Sequence, residues 1–129
     1  MDTAKDAPTV LSLCTGYGGI ERGLEQVFGK IRVVCHVEIE AFAIANLVSK
    51  MESEKMVPAP IWTDVKTFPA HIFRGKVQIL TAGYPCQPFS GAGARRGTDD
   101  PRHLYPYISR AIDVIRPEIV FLENVEGHV

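Results

Sequence analysis

Five short runs of aliphatic and β-branched residues alternate along this chain with segments of helical periodicity. The strand-like runs are Thr9–Cys14, Ile31–Val37, Ile61–Thr63, Val77–Ala82 and Glu118–Glu123, and the helical segments are Ile20–Phe28, Glu40–Met51, a short turn before Phe73, and Leu104–Ile115. This alternation predicts βαβ units, right-handed crossovers and a parallel sheet. We therefore expect a doubly wound, mostly parallel α/β fold of about five strands, whose ligand crevice lies at the carboxyl ends of the strands.

Length and composition fit one domain. The chain has 129 residues, of which 46% are hydrophobic, so it can bury a substantial core. We predict a polar tail over residues 1–8 and a single domain over residues 9–129. The formal net charge of −1 does not by itself favour a polyanionic partner. The three cysteines form no CxxC pair, so the sequence predicts neither a disulfide framework nor a metal site.

The spacing of apolar residues predicts which side of each early helix faces the core. We expect the first helix to bury Ile20, Leu24, Val27 and Phe28, and the second helix to bury Phe42, Ile44, Ala45 and Val48. No apolar run approaches the roughly 18 residues of a membrane span, and we expect neither a membrane span nor a signal peptide.

The fourth apolar run leads into Gly83-Tyr84-Pro85-Cys86-Gln87-Pro88-Phe89-Ser90. Proline on either side of Cys86 restricts the backbone that presents the thiol. An unpaired cysteine is commonly a small buried apolar side chain. Its position, between the end of a core strand and the polar segment Gly91–Arg102, favours instead a thiol at the ligand-binding edge of the sheet.

Three other strand ends carry groups that can bind a ligand. Gly16–Gly19 joins a strand to a helix, where backbone N–H groups can approach an anion. It is not a dinucleotide fingerprint, because Glu21 stands where the third glycine is needed. Glu38 stands where a carboxylate accepts ribose hydroxyls in nucleotide-binding folds, or it favours the start of the next helix. Asp64 could accept an adenine amino group or cap the following turn.

Five segments, taken together, resemble the motifs of the cytosine-C5 DNA methyltransferases. They are the glycine segment Ser12–Gly19, the acidic segment Val37–Glu40, the segment Thr63–Val65, the catalytic segment Gly83–Ser90 and the Glu-Asn-Val segment Phe121–Val125. They occur in the order of the family and extend over nearly the whole chain. The resemblance implies a Rossmann-like methyltransferase fold, incomplete relative to the family, whose target-recognition region is absent.

The resemblance implies S-adenosylmethionine as cofactor, S-adenosylhomocysteine as product, and no metal. In the family the glycine turn holds the methionine carboxylate through backbone N–H groups, and the acidic residue binds the ribose. An acidic residue is common where Ser12 stands, and an aromatic residue where Cys14 and Ile39 stand. The cofactor-binding residues implied are Cys14, Gly16, Tyr17, Gly18, Gly19, Ile20, Glu38, Ile39, Asp64, Val65, Gly83, Pro85 and Leu104.

The resemblance also implies roles in catalysis and in binding DNA. Cys86 would add to C6 of cytosine, Glu123 would donate a proton at N3, and Asn124 would orient Glu123. The thiolate suits this task because it adds readily and can be eliminated afterwards. The residues implied to contact the base or the DNA are Tyr84, through its carbonyl group, with Gln87, Ser90, Arg95, Arg96 and Arg102. A solvated surface loop is the alternative explanation for Arg95 and Arg96.

These implications lead to an expected function. We expect a DNA cytosine-5 methyltransferase of a bacterial restriction-modification system or a phage, acting on a base flipped out of the duplex. Its expected location is the cytoplasm, at the nucleoid and away from membranes. We expect the chain to be a fragment or one subunit of a split enzyme, inactive without a second chain or a missing segment. Apolar surface should then be exposed, which would favour self-association.

Three alternatives remain open at this point. The first is a tRNA cytosine-C5 methyltransferase, and the second is a non-catalytic remnant that binds S-adenosylmethionine. The third is a zinc cytosine deaminase, since His36-Val37-Glu38 and Pro85-Cys86 match parts of its signature. Phe89 stands where the second cysteine of that signature is required, which weighs against the deaminase.

Overall fold

A computed structural model describes residues 6–84 and 104–123 of the chain. Its strands are β1 (Thr9–Leu13), β2 (Arg32–Val37), β3 (Ile61–Trp62), β4 (Ile79–Ala82) and β5 (Ile119–Leu122). Its helices are α1 (Gly19–Phe28), α2 (Ala41–Glu52) and α3 (Tyr105–Ile115), with a 3₁₀ helix over Ala70–Phe73. Each predicted element is present, and its ends lie within two residues of the prediction.

The five strands form one sheet in the order β3-β2-β1-β4-β5. Every neighbouring pair is parallel. The direction of strand addition reverses between β1 and β4, so the switch point of the sheet lies at the carboxyl ends of these two strands. The predicted doubly wound α/β fold is confirmed.

One face of the sheet carries the apolar core. Side chains alternate between the two faces of a strand, and on this face the central strands present only apolar residues. Three residues of α3, namely Ile108, Ala111 and Ile115, belong to the same buried cluster. Burial of each large aliphatic side chain contributes roughly 1.5–3 kcal/mol. The strand residues of this core are Leu11, Leu13, Cys35, Val37, Leu80 and Ala82.

Helix α1 does not bury the side chains that its periodicity predicted. Ile20 and Leu24 are half-buried as expected, but Val27 is 77% exposed and Phe28 is also exposed. Glu21 occupies the inward position of the first turn and is buried. The glycine turn before α1 sets the rotation of the helix on the sheet, and this rotation turns the last apolar residues towards solvent.

The prediction for helix α2 was also wrong. Its buried residues are Ala43 and Leu47, whereas Phe42 is 83% exposed and Val48 is exposed too. The apolar side chains of α2 are spread around the helix, so periodicity alone does not define one buried face.

Strand β5 forms one edge of the sheet and is exposed on both faces. All four of its side chains are apolar, and their exposed fractions lie between 38% and 49%. An apolar edge strand also presents unpaired backbone groups, which favour pairing with a further strand. The described part of the chain therefore exposes apolar surface beside β5. Within the same residues, no helix has the length and apolar character needed to cross a membrane.

Candidate functional site

The residues predicted for the site follow the carboxyl ends of the five parallel strands, which all lie at one edge of the sheet. The glycine turn follows β1, Glu38 follows β2, Asp64 lies two residues beyond β3, Gly83 follows β4 and Glu123 follows β5. The parallel order alone brings these segments, which are far apart in sequence, to the same edge.

The glycine turn adopts a conformation that requires glycine. Gly16 and Gly18 have φ angles of 61° and 86°, in the region that side chains disfavour. The Gly18 N–H donates to the carbonyl of Thr15 at 3.1 Å and closes the turn. A Cβ at Gly18 would lie 3.2 Å from Cε of Met56, so this position is also sterically restricted. Helix α1 begins directly after this turn, and the N–H groups of its first turn have no acceptor within the helix.

Glu38 links the end of β2 to the glycine turn. Its side chain is only 7% exposed. Oε1 accepts the Gly16 N–H at 2.6 Å, and Oε2 accepts the Glu40 N–H at 2.8 Å. A carboxylate oxygen can accept a second hydrogen bond, so both oxygens retain acceptor capacity for a ligand. The carboxylate thus organises the turn and still has free lone pairs.

Cys14 lies between β1 and the glycine turn and is half-buried. Its φ angle of 52° is unusual for a residue with a side chain and directs the chain into the turn. Burial, and then the charge of Glu38, raise the pKa of the Cys14 thiol to about 12. At neutral pH this thiol is therefore protonated and is not a nucleophile.

Asp64 caps the turn that follows β3, which is one of the two alternatives for this residue. Oδ1 accepts the Lys66 N–H at 2.9 Å, and the Asp64 carbonyl accepts the N–H of Thr67 at 3.1 Å. Val65 packs against the apolar core. The turn that these bonds fix places Asp64 at the same edge of the sheet as Glu38.

Exposed apolar side chains lie close in sequence to Glu38 and to the glycine turn. Ile39 and Tyr17 are exposed, and so is Phe42 in the first turn of α2. Nζ of Lys50, also in α2, donates to the Tyr17 carbonyl at 2.7 Å and so restrains the glycine turn from a second side. Sequence reasoning missed Phe42 and Lys50 as site residues, since no pattern in the sequence relates Lys50 to Tyr17.

The end of β4 packs against the start of α1. The Gly83 N–H donates to the carbonyl of Leu13 at 3.3 Å, which extends the β1–β4 pairing by one residue. A Cβ at Gly83 would lie 3.2 Å from Cδ1 of Ile20, so glycine permits this close approach. Beyond Gly83 the side chain of Tyr84 is buried, and its ring centroid lies 5.9 Å from that of Tyr105. Leu104 packs against the same core.

Glu123 lies at the end of β5, adjacent to the end of β4. Its N–H donates to the Ala82 carbonyl at 2.8 Å, and its side chain is exposed. Strands β4 and β5 are adjacent and parallel, which brings Glu123 next to the end of β4. The remaining predicted site residues, namely Pro85, Cys86, Gln87, Ser90, Arg95, Arg96, Arg102 and Asn124, lie outside the described residues.

His36 lies in the core rather than at the site. It is 1% exposed, and neither ring nitrogen has a hydrogen-bond partner. Burial lowers the pKa of His36 from 6.5 to about 4, so the ring is neutral at physiological pH. Within residues 6–84 and 104–123, no group of three or more His, Cys, Asp and Glu side chains could hold a metal ion. Nothing in the described part supports the zinc alternative.

A cavity of about 600 Å³ opens at the opposite edge of the sheet. It is lined by residues at or before the amino ends of the strands, including Thr9, Arg32, Gln78 and Glu118. Because ligands of open α/β sheets bind at the carboxyl edge, we place the candidate site at the glycine turn and not in this cavity.

Comparison with known proteins identifies the family of the chain. The family model for C-5 cytosine-specific DNA methylases matches residues 8–129. The Type II methyltransferase M.NlaX of Neisseria lactamica is 37% identical over 123 residues, which are 92% of this chain and 37% of that protein. M.NaeI of Lentzea aerocolonigenes is 34% identical over 118 residues, 92% of this chain and 28% of the relative. The chain thus spans roughly a third of the length of these relatives.

A solved structure shares the fold. The PH0226 protein of Pyrococcus horikoshii OT3 superposes with a TM-score of 0.52, and the match covers 93% of this chain and 45% of that one. Its sequence identity of 17% supports a common fold and no finer similarity.

Proposed function

The chain belongs to the C-5 cytosine-specific DNA methylase family, and on that premise we propose that it forms the cofactor-binding and nucleophile-bearing part of a DNA cytosine-5 methyltransferase. The observation that carries the proposal is the 2.6 Å hydrogen bond between Gly16 N–H and Glu38 Oε1, which unites glycine turn and carboxylate in one site at the carboxyl edge. Membership of this methyltransferase family implies S-adenosylmethionine as the methyl donor.

The residues around Glu38 fit that cofactor. The unpaired N–H groups at the start of α1 suit a carboxylate. The remaining lone pairs of Glu38 suit ribose hydroxyls, and the exposed Ile39 offers an apolar contact for adenine. In this proposal Asp64 and Val65 contact the adenine edge. The turn residues and Cys14, Ile20, Gly83, Pro85 and Leu104 complete the pocket.

The proposed reaction needs one nucleophile and one proton donor from this chain. Cytosine C5 is too weak a nucleophile to take a methyl group directly. The Cys86 thiolate adds to C6, and negative charge develops towards N3, where Glu123 donates a proton and Asn124 orients Glu123. S-adenosylmethionine supplies the methyl group to C5 when bound. C5 then loses its proton, the sulfur–C6 bond breaks and N3 returns its proton to Glu123, which regenerates the thiolate and the acid.

The substrate assigned in this proposal is a cytosine flipped out of DNA, because the target atom is inaccessible within a stacked duplex. Tyr84, Gln87 and Ser90 contact the base, while Arg95, Arg96 and Arg102 contact phosphates. The similarity to Type II methyltransferases favours a restriction-modification role. A tRNA substrate is the second candidate, and a non-catalytic role in binding S-adenosylmethionine is the third.

Calorimetric titration with S-adenosylmethionine tests the cofactor half of the proposal. We expect the wild-type chain to bind, Glu38→Ala to lose binding, and the exposed Glu40→Ala variant to bind as the wild type does. Circular dichroism of each variant checks that it is folded. A folded wild-type chain that binds no S-adenosylmethionine would contradict the assignment of this edge as a complete cofactor site.

Covalent trapping tests the chemistry and the substrate. DNA carrying 5-fluorocytosine retains the cysteine adduct, because fluorine cannot leave C5 as a proton does. We expect an adduct on Cys86 when S-adenosylmethionine and the remaining part of the enzyme are supplied, and none with Cys86→Ser. An adduct with fluorinated tRNA and none with fluorinated DNA would favour the RNA alternative.

Recognition of the DNA sequence is supplied, in this proposal, by a second chain or by a further segment that packs beside β5. The four exposed apolar side chains of β5 support this assignment. We expect no robust sequence-specific methylation by the 129-residue chain alone. Sequence-specific methylation by the purified chain would refute this part of the proposal.

A further inference from the structure

The face of the sheet beneath α1 is polar at its centre, in contrast to the apolar face beneath α3. Ser12 of β1 is in register with His36 of β2 on one side and with Thr81 of β4 on the other. All three side chains are buried. Ser12 Oγ and Thr15 Oγ1 share a hydrogen bond of 2.8 Å. Buried polar groups are costly unless they are paired, so this row calls for a structural or functional reason.

Glu21 covers this polar row from the first turn of α1. The side chain is 4% exposed, and its Oε2 accepts the hydroxyl of Thr81 at 2.7 Å. Oε1 is buried without a hydrogen-bond partner. Burial raises the pKa of the Glu21 carboxyl, although the hydroxyls of Thr81 and Ser12 partly offset the effect. A carboxyl in such surroundings favours its neutral, protonated form.

Two side chains therefore connect the first turn of α1 to the end of β4. Ile20 approaches Gly83 so closely that a Cβ there would lie 3.2 Å from Ile20 Cδ1. The carboxyl of Glu21 accepts the hydroxyl of Thr81, which lies two residues before Gly83 in the sequence. The same turn of α1 directly follows the glycine turn that Glu38 holds. The position of the glycine turn thus depends on a contact with β4, the strand that leads towards Cys86.

We propose that Glu21, whose buried carboxyl accepts the Thr81 hydroxyl, is a positioning residue that holds the glycine turn in its binding geometry against β4. This inference rests on the proposed binding of S-adenosylmethionine and adds a residue that makes no contact with the cofactor. The link spans 60 residues of sequence and lies in the dry core. A hydrogen bond there is directional, so it fixes the first turn of α1 more closely than apolar packing would.

Four substitutions separate the positioning role from general stability. Glu21→Gln keeps a neutral group of the same shape with a donor and an acceptor. Glu21→Leu and Thr81→Val each remove one side of the hydrogen bond. Glu25→Gln changes an exposed carboxylate on the same helix and is the matched control. Affinity for S-adenosylmethionine is measured by calorimetry, and stability by chemical denaturation without the cofactor.

The expected affinities divide the variants into two groups. Glu21→Gln and Glu25→Gln should bind S-adenosylmethionine within about twofold of the wild type. Glu21→Leu and Thr81→Val should bind it about three- to tenfold more weakly, which is the range of one net hydrogen bond. Glu21→Leu removes an unpaired buried oxygen but leaves the buried Thr81 hydroxyl without its acceptor, so the stability of each variant is compared with its affinity. A variant that is equally stable yet binds more weakly cannot be explained by lost stability.

A pH profile provides the second readout. The titratable groups around Glu21 are Glu25 on its own helix and His36, which stands beside Ser12 in β2, whereas Ser12 and Thr81 do not titrate. Burial raises the pKa of Glu21, so as pH rises through that pKa a buried group becomes charged, and wild-type affinity should vary with pH where that of Glu21→Gln does not.

The outcomes distinguish failure of this inference from failure of the proposed function. If the wild type binds S-adenosylmethionine and both Glu21→Leu and Thr81→Val bind it equally tightly, the positioning role is overturned while the cofactor site stands. If the folded wild type does not bind S-adenosylmethionine at all, the cofactor site and the inference fall together. If Glu21→Gln binds as weakly as Glu21→Leu, an acceptor for the Thr81 hydroxyl at this position does not restore affinity, and the inference is likewise overturned.

Discussion

Acidification should destabilise this protein through a single buried histidine. His36 is 1% exposed, its two ring nitrogens have no partners, and burial lowers its pKa from 6.5 to about 4. At a pH between these two pKa values, His36 binds a proton in the unfolded chain but not in the folded protein. The free energy of unfolding therefore falls as pH decreases from about 6.5 to about 4.

The size of the effect follows from the difference between the two pKa values. At about 1.36 kcal/mol per pKa unit, a change from 6.5 to about 4 lowers the free energy of unfolding by roughly 3 kcal/mol. That is a large part of the roughly 5–15 kcal/mol that stabilises an ordinary domain. Glu21 acts in the opposite direction: its raised pKa means that the folded form gains relative stability as pH falls towards 4.5.

Chemical denaturation from pH 7.5 to 4 measures the effect. The Glu21→Gln variant is compared with the double variant that also carries His36→Leu, because Glu21→Gln removes the opposing contribution of Glu21 to the pH dependence. We expect the two stability curves to diverge by roughly 3 kcal/mol at the acid end. His71→Gln, which replaces an exposed histidine, is the matched control. Parallel curves for His36→Leu and its parent over the whole range would refute the assignment of His36 as a buried neutral ring.

Three further predictions concern the site itself. In a denaturation assay without cofactor, Glu38→Ala should lower the free energy of unfolding by about 3 kcal/mol or more. The reason is that two backbone N–H groups lose a charged acceptor worth about 1.5–3 kcal/mol each. Glu40→Ala should change the free energy of unfolding by less than about 0.5 kcal/mol in the same assay. Gly18→Ala should cost more stability than Gly16→Ala, since both positions have positive φ but only at Gly18 would a Cβ contact a neighbour at 3.2 Å; equal losses would contradict this. Cys14 should react with iodoacetamide at pH 8 roughly 10³-fold more slowly than a free thiol, because its pKa of about 12 leaves little thiolate. Mass spectrometry locates the labelled cysteine, and rapid labelling of Cys14 would show that its thiol is not buried.

The identity and order of the secondary structure elements could be predicted from the sequence. Apolar β-branched runs and helical periodicity are local signals, and they located every strand and helix to within two residues. Parallel order then follows from the alternation of strands and helices, because a βαβ unit has one favoured handedness. This topology placed Glu38, Asp64 and Glu123 at one edge before any coordinates were known.

The orientation of the helices was decided only in the tertiary structure. Periodicity placed Val27 and Phe28 in the core, yet both are exposed, and it did not predict that Phe42 is exposed beside the site. A helix with apolar residues on more than one side can bury any of them, and the choice depends on how its connection leaves the sheet. That connection is a property of the packed structure and not of the helix alone.

The sequence by itself determined the α/β class, the family and the carboxyl edge of the sheet as the candidate site. Only the tertiary structure decided which polar groups meet there. The glycine turn and Glu38 are separated by 22 residues, and Glu21 and Thr81 by 60. Local patterns carry no information on such pairs, because the partners become neighbours only when the sheet order places their strands side by side.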